Sequence, residues 1–208
     1  MSKRSDVFPT IDTNLFITVS GPPGCGATSV CRLLSEAMDC PYVSGGDLFR
    51  DLADERGMTL TQLSAKAQES DEIDRDLDRY LREIAEEWGA ANKPFILESR
   101  LAGWIAGDRA DLRIYLDAPA EVRKERIKDR EETTAEMAVR EVGEAGRYQS
   151  YYDIDSEDLD FYDLHLNTAR WDQAGVFEII RAAIERYDPE ADEGAFETAP
   201  LRIDDEEA

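Results

Sequence analysis

A glycine-rich segment constrains the fold of this chain more than any other feature, because it separates a strand pattern from a helix pattern. Residues 15–19 (LFITV) form a β-branched and aromatic run, and residues 28–38 repeat apolar side chains at helical spacing. The segment between them, GPPGCGAT at residues 21–28, carries three glycines that allow a tight turn. In a strand, turn and helix of this kind, backbone N–H groups and the helix N-terminus can hold a phosphate group.

The glycine segment matches the phosphate-loop pattern G-x-x-x-x-G-K-[ST] at every position except one, because Ala27 replaces the lysine. We predict that it binds the phosphates of ATP and that the Thr28 hydroxyl contributes to a Mg²⁺ site. The predicted ATP-binding residues are Gly21, Pro22, Pro23, Gly24, Cys25, Gly26, Ala27, Thr28 and Ser29. One alternative is a glycine turn that merely joins strand to helix. A dinucleotide site is disfavoured because Ser29 replaces the third small glycine.

The missing lysine removes a cation that would neutralise the β- and γ-phosphates. One such contact is typically worth about 3 kcal/mol in the transition state, so the penalty is large. It is not prohibitive if another cation substitutes. Arginines from elsewhere in the chain and a bound monovalent ion are the two hypotheses for that substitute.

Short apolar runs alternate with long helical patterns along the rest of the chain, which is the signature of βαβ units. We predict an α/β fold of the P-loop NTPase type, with a parallel sheet of about five strands flanked by helices. Asp47 is the predicted N-cap of the second helix. Further strands are expected near residues 42–43, 95–97, 114–116 and 164–166, and helices over 47–55, 59–88 (one or two), from 119 onward, 135–152 and 173–187.

Charge and composition bound the organisation of the chain and its partners. Residues 1–13 are predicted to form a flexible extension, residues 14–187 one domain, and residues 188–208 a disordered acidic tail. The 24 Lys and Arg residues against 47 Asp and Glu residues give a net charge of -23, which argues against a nucleic-acid partner. Dense surface acid indicates a salt-loving host, and an acidic protein of an ordinary host is the alternative.

Cysteine usage and hydropathy indicate a compartment. Three cysteines without a CxxC pair predict a reduced cytoplasmic protein. The apolar runs are too short for a membrane span or an export signal, so no membrane partner is expected, and we expect a monomer.

Two arginines follow predicted strands at the edge of the sheet where ligands bind in open α/β folds. Arg50 lies about one turn into the helix after the second strand, and Arg100 lies just beyond the third. Each guanidinium can clamp a phosphate in bidentate fashion. A solvated surface ion pair is the alternative for either arginine taken alone. Glu98, which ends the third strand, is a candidate magnesium acid.

With these motifs in order, the sequence resembles the archaeal-type cytidylate kinases of the nucleoside monophosphate (NMP) kinase superfamily. The resemblance covers residues 14–187, and it departs from the family at Ala27 and at Ser99, where such families usually place glycine. The segments that carry it are residues 21–24, 46–50, 98 with 100–104, 114–119, 147–152, 162–164, 167–168 and 171–172.

The resemblance implies phosphoryl transfer from ATP to CMP or dCMP with Mg²⁺, on a fold with an NMP-binding helical segment and a short lid. It implies that Gly46, Asp47, Arg50 and Arg100 bind the NMP, and that Thr28 and Glu98 hold the metal. The catalytic arginines would be Arg100, Arg130 and Arg147, and the lid candidates are Arg126, Arg130, Arg140 and Arg147. The alternatives are an ATP-binding regulator without turnover, and a P-loop kinase for another nucleotide or a small metabolite.

Three further features have structural and functional interpretations. His165, the only histidine, lies in an apolar strand and is interpreted as structural rather than as a base or metal ligand. A depressed thiol pKa at Cys25 is one hypothesis, and a small residue packed against phosphate is the simpler one. The tyrosines Tyr148, Tyr151, Tyr152 and Tyr162 either stack on a base or pack in the core and lid.

Overall fold

A parallel sheet of five strands organises the fold, which confirms the predicted class. The structure is a computed structural model that describes residues 9–70, 72–128, 146–155 and 158–191. The strands lie in the order β2-β3-β1-β4-β5, and each pair is parallel. Their bounds are β1 Phe16–Ser20, β2 Tyr42–Ser44, β3 Phe95–Glu98, β4 Leu112–Asp117 and β5 Leu164–Asn167.

Helices connect the strands and cover both faces of the sheet. Their bounds are α1 Ala27–Met38, α2 Gly45–Glu55, α3 Leu60–Glu69, α4 Glu72–Ala91, α5 Ala102–Ala106, α6 Ala120–Ile127, α7 residues 146–152 and α8 Gln173–Arg186. Short 3₁₀ turns cover Gly107–Arg109, Thr168–Arg170 and Pro189–Ala191. The pattern over residues 59–88 therefore resolves into two helices. Of the helix predicted over 135–152, residues 135–145 lie outside the described residues.

Two apolar clusters sandwich the sheet, because alternate residues of each strand point to opposite faces. Ile17, Val19 and Ile114 pack with residues of α1 and α8 on one face. Phe16 and Phe95 pack with residues of α4 and α5 on the other. All five residues of β1 are buried, as expected for the central strand of a sheet that is covered on both sides.

A third, smaller cluster holds the helices α2, α3 and α4 together away from the sheet. Its buried members are Ala53, Leu63, Ala67 and Ile73. A capping box begins α3, because the Thr59 side chain accepts from the Gln62 N–H and the Gln62 side chain accepts from the Thr59 N–H. This helical segment follows β2 and precedes β3, where the sequence predicted an NMP-binding insert.

Two details of the prediction are wrong. The N-cap of α2 is Ser44 rather than Asp47, because the Ser44 Oγ accepts from the Asp47 N–H at 3.3 Å and the helix begins two residues earlier. The predicted N-terminal extension is too long, because Ile11 is 3% exposed and its N–H donates to the Ala37 carbonyl at 2.8 Å. Residues 1–8 and 192–208 lie outside the described residues. Within the described part of the chain, no helix is long and apolar enough to cross a membrane.

Candidate active site

The phosphate loop (residues 21–29) leaves β1, turns through three glycines with positive φ and enters α1. Gly24 has φ 80°, and a Cβ at this position would lie 2.6 Å from the Arg123 carbonyl oxygen. A Cβ at Gly21 would lie 2.1 Å from the Leu116 carbonyl oxygen. These two positions therefore require glycine for both conformation and space. The loop packs against the end of β4 at Leu116 and against the middle of α6 at Arg123.

The beginning of α1 offers backbone N–H groups to the cavity. Its N-cap is Gly26, and no side-chain hydrogen bond caps the helix. Ala27 is buried in the core, and Thr28 follows it on the cavity lining. A helix N-terminus with uncapped donors is suited to an anion through the orphan N–H groups and the helix dipole.

Side chains hold the carbonyl side of the phosphate loop. Arg100 Nη1 donates to the Gly21 carbonyl at 3.3 Å, and Arg123 Nη1 donates to the Pro23 carbonyl at 3.2 Å. Arg126 Nη1 lies 3.1 Å from the Gly24 carbonyl and 3.3 Å from the Cys25 carbonyl. The interpretation of Arg126 as a lid residue is therefore wrong for this structure, because α6 places it against the loop backbone.

One cavity joins the phosphate loop to the predicted acceptor residues. The loop residues 21–29 line it together with Gly46, Arg50, Glu98, Arg100 and Arg147. Arg50 and Asp47 form an ion pair one turn apart on α2, and both side chains are more than 40% exposed. Asp47 is not part of the cavity lining but contacts it through Arg50. Arg130 and Arg140 lie outside the described residues.

The cavity extends along α4 away from the sheet. Gly45 lies beside the Leu81 side chain at the sheet edge. Asp78 and Asp74 lie one and two turns earlier on the same face of α4, so they are about 5 and 10 Å further out. Asp74 is ion-paired with Arg147 of α7, and both side chains are mostly buried.

Asp78 is a buried carboxylate in the cavity wall, with an exposed fraction of 7%. The Tyr152 hydroxyl donates to it at 2.9 Å, and burial together with this carboxylate raises the pKa of Tyr152. Nearby, two hydroxyls that line the cavity, Ser64 of α3 and Ser99 after β3, are buried without a hydrogen-bond partner among the described residues. A buried hydroxyl without a partner is costly, so a ligand that supplies one would bind favourably.

Thr28 and Glu98 carry side-chain oxygen atoms and line the same cavity, and oxygen atoms are the ligands that Mg²⁺ prefers. The Tyr42 hydroxyl donates to Glu98 Oε2 at 3.0 Å, and burial raises the pKa of Tyr42 so that it remains a donor. The described residues contain no cluster of three or more His, Cys, Asp or Glu side chains with metal-binding geometry. A magnesium ion in this position would therefore take its remaining ligands from phosphate oxygens and water.

The structure also bears on the hypotheses for Cys25, His165 and the four tyrosines. The hypothesis of a depressed thiol pKa at Cys25 is wrong, because burial raises this pKa to about 11. His165 lies on the exposed edge strand β5, where its ring contacts Tyr115 at 5.5 Å between centroids. Of the four tyrosines only Tyr148 is in the lining of this cavity.

Several site residues were missed by sequence reasoning, namely Ser64, Asp74, Asp78, Arg123 and Thr168. The two aspartates had a usable signal, because carboxylates four residues apart share one face of a helix. Thr168 lies in a segment that carries the family resemblance, but its role depends on β5 lying next to β4, which no local pattern reveals.

Comparisons with known proteins show what this chain is similar to. A family model described as an AAA domain matches residues 17–158. A Haloarcula marismortui protein named cytidylate kinase is 48% identical over 195 residues, which cover 91% of this chain and all of that protein. Its Natronomonas pharaonis counterpart is 51% identical over 185 residues, which cover 86% of this chain and 94% of that protein.

A solved structure with a similar fold is that of a gluconokinase from Sinorhizobium meliloti 1021. It aligns with a TM-score of 0.55 at 16% identity, over 84% of this chain and 94% of that chain. At this identity the similarity concerns the fold alone.

Proposed function

This chain belongs to the cytidylate kinase family, and from that premise we propose that it transfers the γ-phosphoryl group of ATP to CMP or dCMP. The observation that carries the proposal is one shared cavity, because the phosphate loop and the proposed acceptor residues line the same space. Phosphoryl transfer needs two nucleotides in line and charge neutralisation more than covalent chemistry. A shared cavity meets the first requirement.

The donor triphosphate would lie against residues 21–29. The amides of the loop and of the first turn of α1 are suited to the β- and γ-phosphates, and the glycines let the backbone approach them closely. Thr28 and Glu98 would hold the magnesium ion, which neutralises charge on the phosphates when bound. The remaining positive charge near the loop comes from arginine side chains, which supports the arginine hypothesis for the missing lysine.

The acceptor phosphate would lie between Arg50 and Arg100. Arg50 lies at the start of α2 beside Gly46, whose missing side chain leaves room next to the guanidinium. Arg100 follows β3 and already touches the phosphate loop through the Gly21 carbonyl. It is therefore the arginine that can contact the group in transit between the two nucleotides. We propose a catalytic role for Arg100, and for Arg130 and Arg147 as the resemblance implies.

The acceptor base would lie along α4, beside Asp78, Asp74 and Arg147. Cytosine presents an amino donor where uracil presents a carbonyl acceptor, and a carboxylate can only accept. Asp78 is buried and oriented by Tyr152, so its carboxylate is suited to the cytosine amino group. The unpartnered Ser64 hydroxyl can supply a further hydrogen bond. A site built from such polar groups rejects an analogue that leaves them unpaired.

We propose that the protein works as a monomer in a salt-rich cytoplasm, within pyrimidine nucleotide metabolism. The net charge of -23 supports this setting, because concentrated salt screens repulsion among surface carboxylates. All three cysteines are unpaired and buried, which is consistent with a reducing compartment. The strongly acidic composition also disfavours a nucleic-acid partner.

A coupled assay of ADP release tests the proposal. Purified protein in concentrated KCl with Mg²⁺ and ATP is offered CMP, dCMP, UMP, AMP, shikimate and gluconate in turn. We expect CMP and dCMP to give the highest kcat/KM values. ATP binding without ADP release for any acceptor would favour a regulator instead. Preference for a non-nucleotide acceptor would favour a metabolite kinase.

A further inference from the structure

We infer that Arg123 and Thr168, with Arg126, are positioning residues that orient the phosphate loop from its carbonyl side and so support ATP binding without a loop lysine. The inference rests on the proposed function only in taking ATP as the donor nucleotide. None of the three side chains is in the lining of the cavity, so they act on the loop backbone. We call these three residues the loop brace.

The brace contacts three consecutive carbonyl oxygens of the loop, those of Pro23, Gly24 and Cys25. Arg123 Nη1 donates to the first at 3.2 Å, and Arg126 Nη1 lies 3.1 Å from the second. The third carbonyl, of Cys25, has the Thr168 Oγ1 at 2.7 Å and Arg126 Nη1 at 3.3 Å. Hydrogen bonds to charged donors are stronger than those to neutral donors, so the carbonyl side of the loop is firmly held.

Other contacts fix the brace itself. Arg123 Nε donates to the Ala118 carbonyl at 2.9 Å, and its guanidinium lies 3.9 Å from the Asp117 carboxylate. Arg126 donates to both the hydroxyl and the carbonyl of Thr168, at 2.9 and 3.0 Å. Thr168 is 3% exposed and also lies 3.0 Å from the Asp117 carbonyl. The ends of β4 and β5 thus position the brace.

Hydrogen bonds to the loop carbonyls also orient the loop N–H groups, because the peptide bond is planar and trans. In each peptide unit the carbonyl of one residue and the N–H of the next point in opposite directions. Carbonyls of Pro23 and Cys25 that face the brace therefore direct the N–H groups of Gly24 and Gly26 the other way, toward the cavity that both glycines line. The N–H of Cys25 closes the turn on the Pro22 carbonyl at 3.1 Å.

The brace also adds charge where a lysine is absent. A hydrogen bond to a carbonyl polarises the peptide unit and makes its N–H a stronger donor. The two guanidinium groups of the brace add to that of Arg100 on the carbonyl side of the loop, so positive charge lies behind the amides that face the cavity. Ala27 contributes no charge of its own. The brace therefore supplies orientation and part of the electrostatic support that phosphate binding needs.

The test measures whether the brace acts on ATP alone. The variants are Thr168→Val, which removes the hydroxyl but keeps the shape, and Thr168→Ser, which keeps the hydroxyl. Arg123→Met and Arg123→Lys form a second pair. Lys124→Met on the same helix is the control, because the Lys124 side chain pairs with the exposed carboxylate of Glu121. Calorimetry gives the dissociation constants of Mg-ATP and CMP, and thermal unfolding gives the melting temperature.

We expect Thr168→Val to weaken Mg-ATP by about 10-fold and Arg123→Met by about 30-fold, as for lost neutral and charged hydrogen bonds. The CMP dissociation constant should change by less than about 2-fold in both. Thr168→Ser and Lys124→Met should bind Mg-ATP as tightly as the wild type does. The Mg-ATP affinity of Arg123→Lys should lie between those of the wild type and Arg123→Met, because lysine keeps the charge but lacks the planar set of N–H donors of a guanidinium.

Equal losses for ATP and CMP would overturn the inference, because they would indicate a general structural role. Unchanged ATP affinity in folded Thr168→Val and Arg123→Lys would overturn it as well. Arg123→Lys keeps the test decisive if the Val or Met variant does not fold, because it is expected to bind Mg-ATP more weakly than the wild type. Failure of the proposed function looks different, because wild-type protein would then bind ATP without phosphorylating CMP.

Discussion

The two halves of the cavity differ in how completely their polar groups are satisfied. On the donor side, the carbonyls of Gly21, Pro23, Gly24 and Cys25 all accept hydrogen bonds from side chains. On the acceptor side, the hydroxyls of Ser64 and Ser99 are buried without a partner among the described residues. The loop on the proposed donor side is therefore held in place without a ligand, whereas we expect the proposed acceptor side to be completed by its ligand.

The packing of the two halves differs in the same direction. The phosphate loop leaves a central strand whose five residues are all buried. The acceptor helices α2 and α3 depend on a separate cluster with four buried members. A small cluster opens at a lower free energy than the main core, so motion should concentrate in the acceptor helices. Closure over CMP would then exclude water from the transfer step, as kinases require.

Arg100→Ala should have the largest effect, because Arg100 contacts both halves. We expect kcat to fall by about 1000-fold, as for the loss of a charge that acts mainly in the transition state. The ATP dissociation constant should change by less than about 3-fold, because the loop amides remain. Steady-state kinetics and calorimetry measure the two quantities. Arg79→Ala, on the exposed surface of α4, is the control, and an unchanged kcat in Arg100→Ala would remove this residue from the site.

Gly24→Ala should weaken ATP binding and leave CMP binding unchanged. Its Cβ would lie 2.6 Å from the Arg123 carbonyl oxygen at φ 80°, so the loop must shift away from the brace. We expect ATP affinity to fall by about 100-fold while CMP affinity is retained. Gly57→Ala is a matched control, because it also has positive φ, at 62°, but nothing lies within 4 Å of its Cβ.

That control should lose about 1 kcal/mol of unfolding free energy and no ATP affinity. Calorimetry and chemical denaturation measure both variants. The contrast between the two halves would be broken if Gly24→Ala bound ATP as tightly as Gly57→Ala does.

Asp78→Asn should change the base preference of the proposed acceptor half. An amide can donate to the uracil carbonyl, so kcat/KM for CMP should fall by about 30-fold and the preference for CMP over UMP should narrow. Asp76→Asn, on the exposed side of α4, should leave both values unchanged. Kinetics with the two acceptors measure the ratio. If CMP and UMP lost the same factor, Asp78 would not read the base.

The smallest expected effect concerns Cys25, a residue of the phosphate loop whose side chain is buried. Burial raises its pKa from 9.0 to about 11, so the folded state keeps a proton that the unfolded state releases above pH 9. The resulting stabilisation is fully present below pH 9 and is lost as pH rises from 9 to 11. Unfolding free energies across this range should decline less steeply in Cys25→Ala than in the wild type. If the unfolding free energy fell equally steeply with pH in both proteins, the buried Cys25 thiol would not be the group that titrates.

Local sequence patterns predicted the elements well but not their long-range contacts. The five strands and the loop between β1 and α1 follow from apolar runs and glycine spacing. The contacts of Arg126 and Thr168 could not be predicted, because they depend on β4 lying beside β1 and on β5 lying beside β4. Asp47 was the predicted N-cap of α2, whereas the observed N-cap is Ser44. The start of this helix depends on backbone geometry that the local sequence pattern does not show.

Calorimetric titration of the wild-type protein tests the central claim most directly, that the amides of a lysine-free loop hold the ATP phosphates. The titration is made in concentrated KCl with Mg²⁺, first with ADP and ATP and then with adenosine. The account predicts that ATP and ADP bind at least about 100-fold more tightly than adenosine, because the phosphates make the charged contacts. A folded protein that bound adenosine as tightly as ATP, or bound neither, would contradict it.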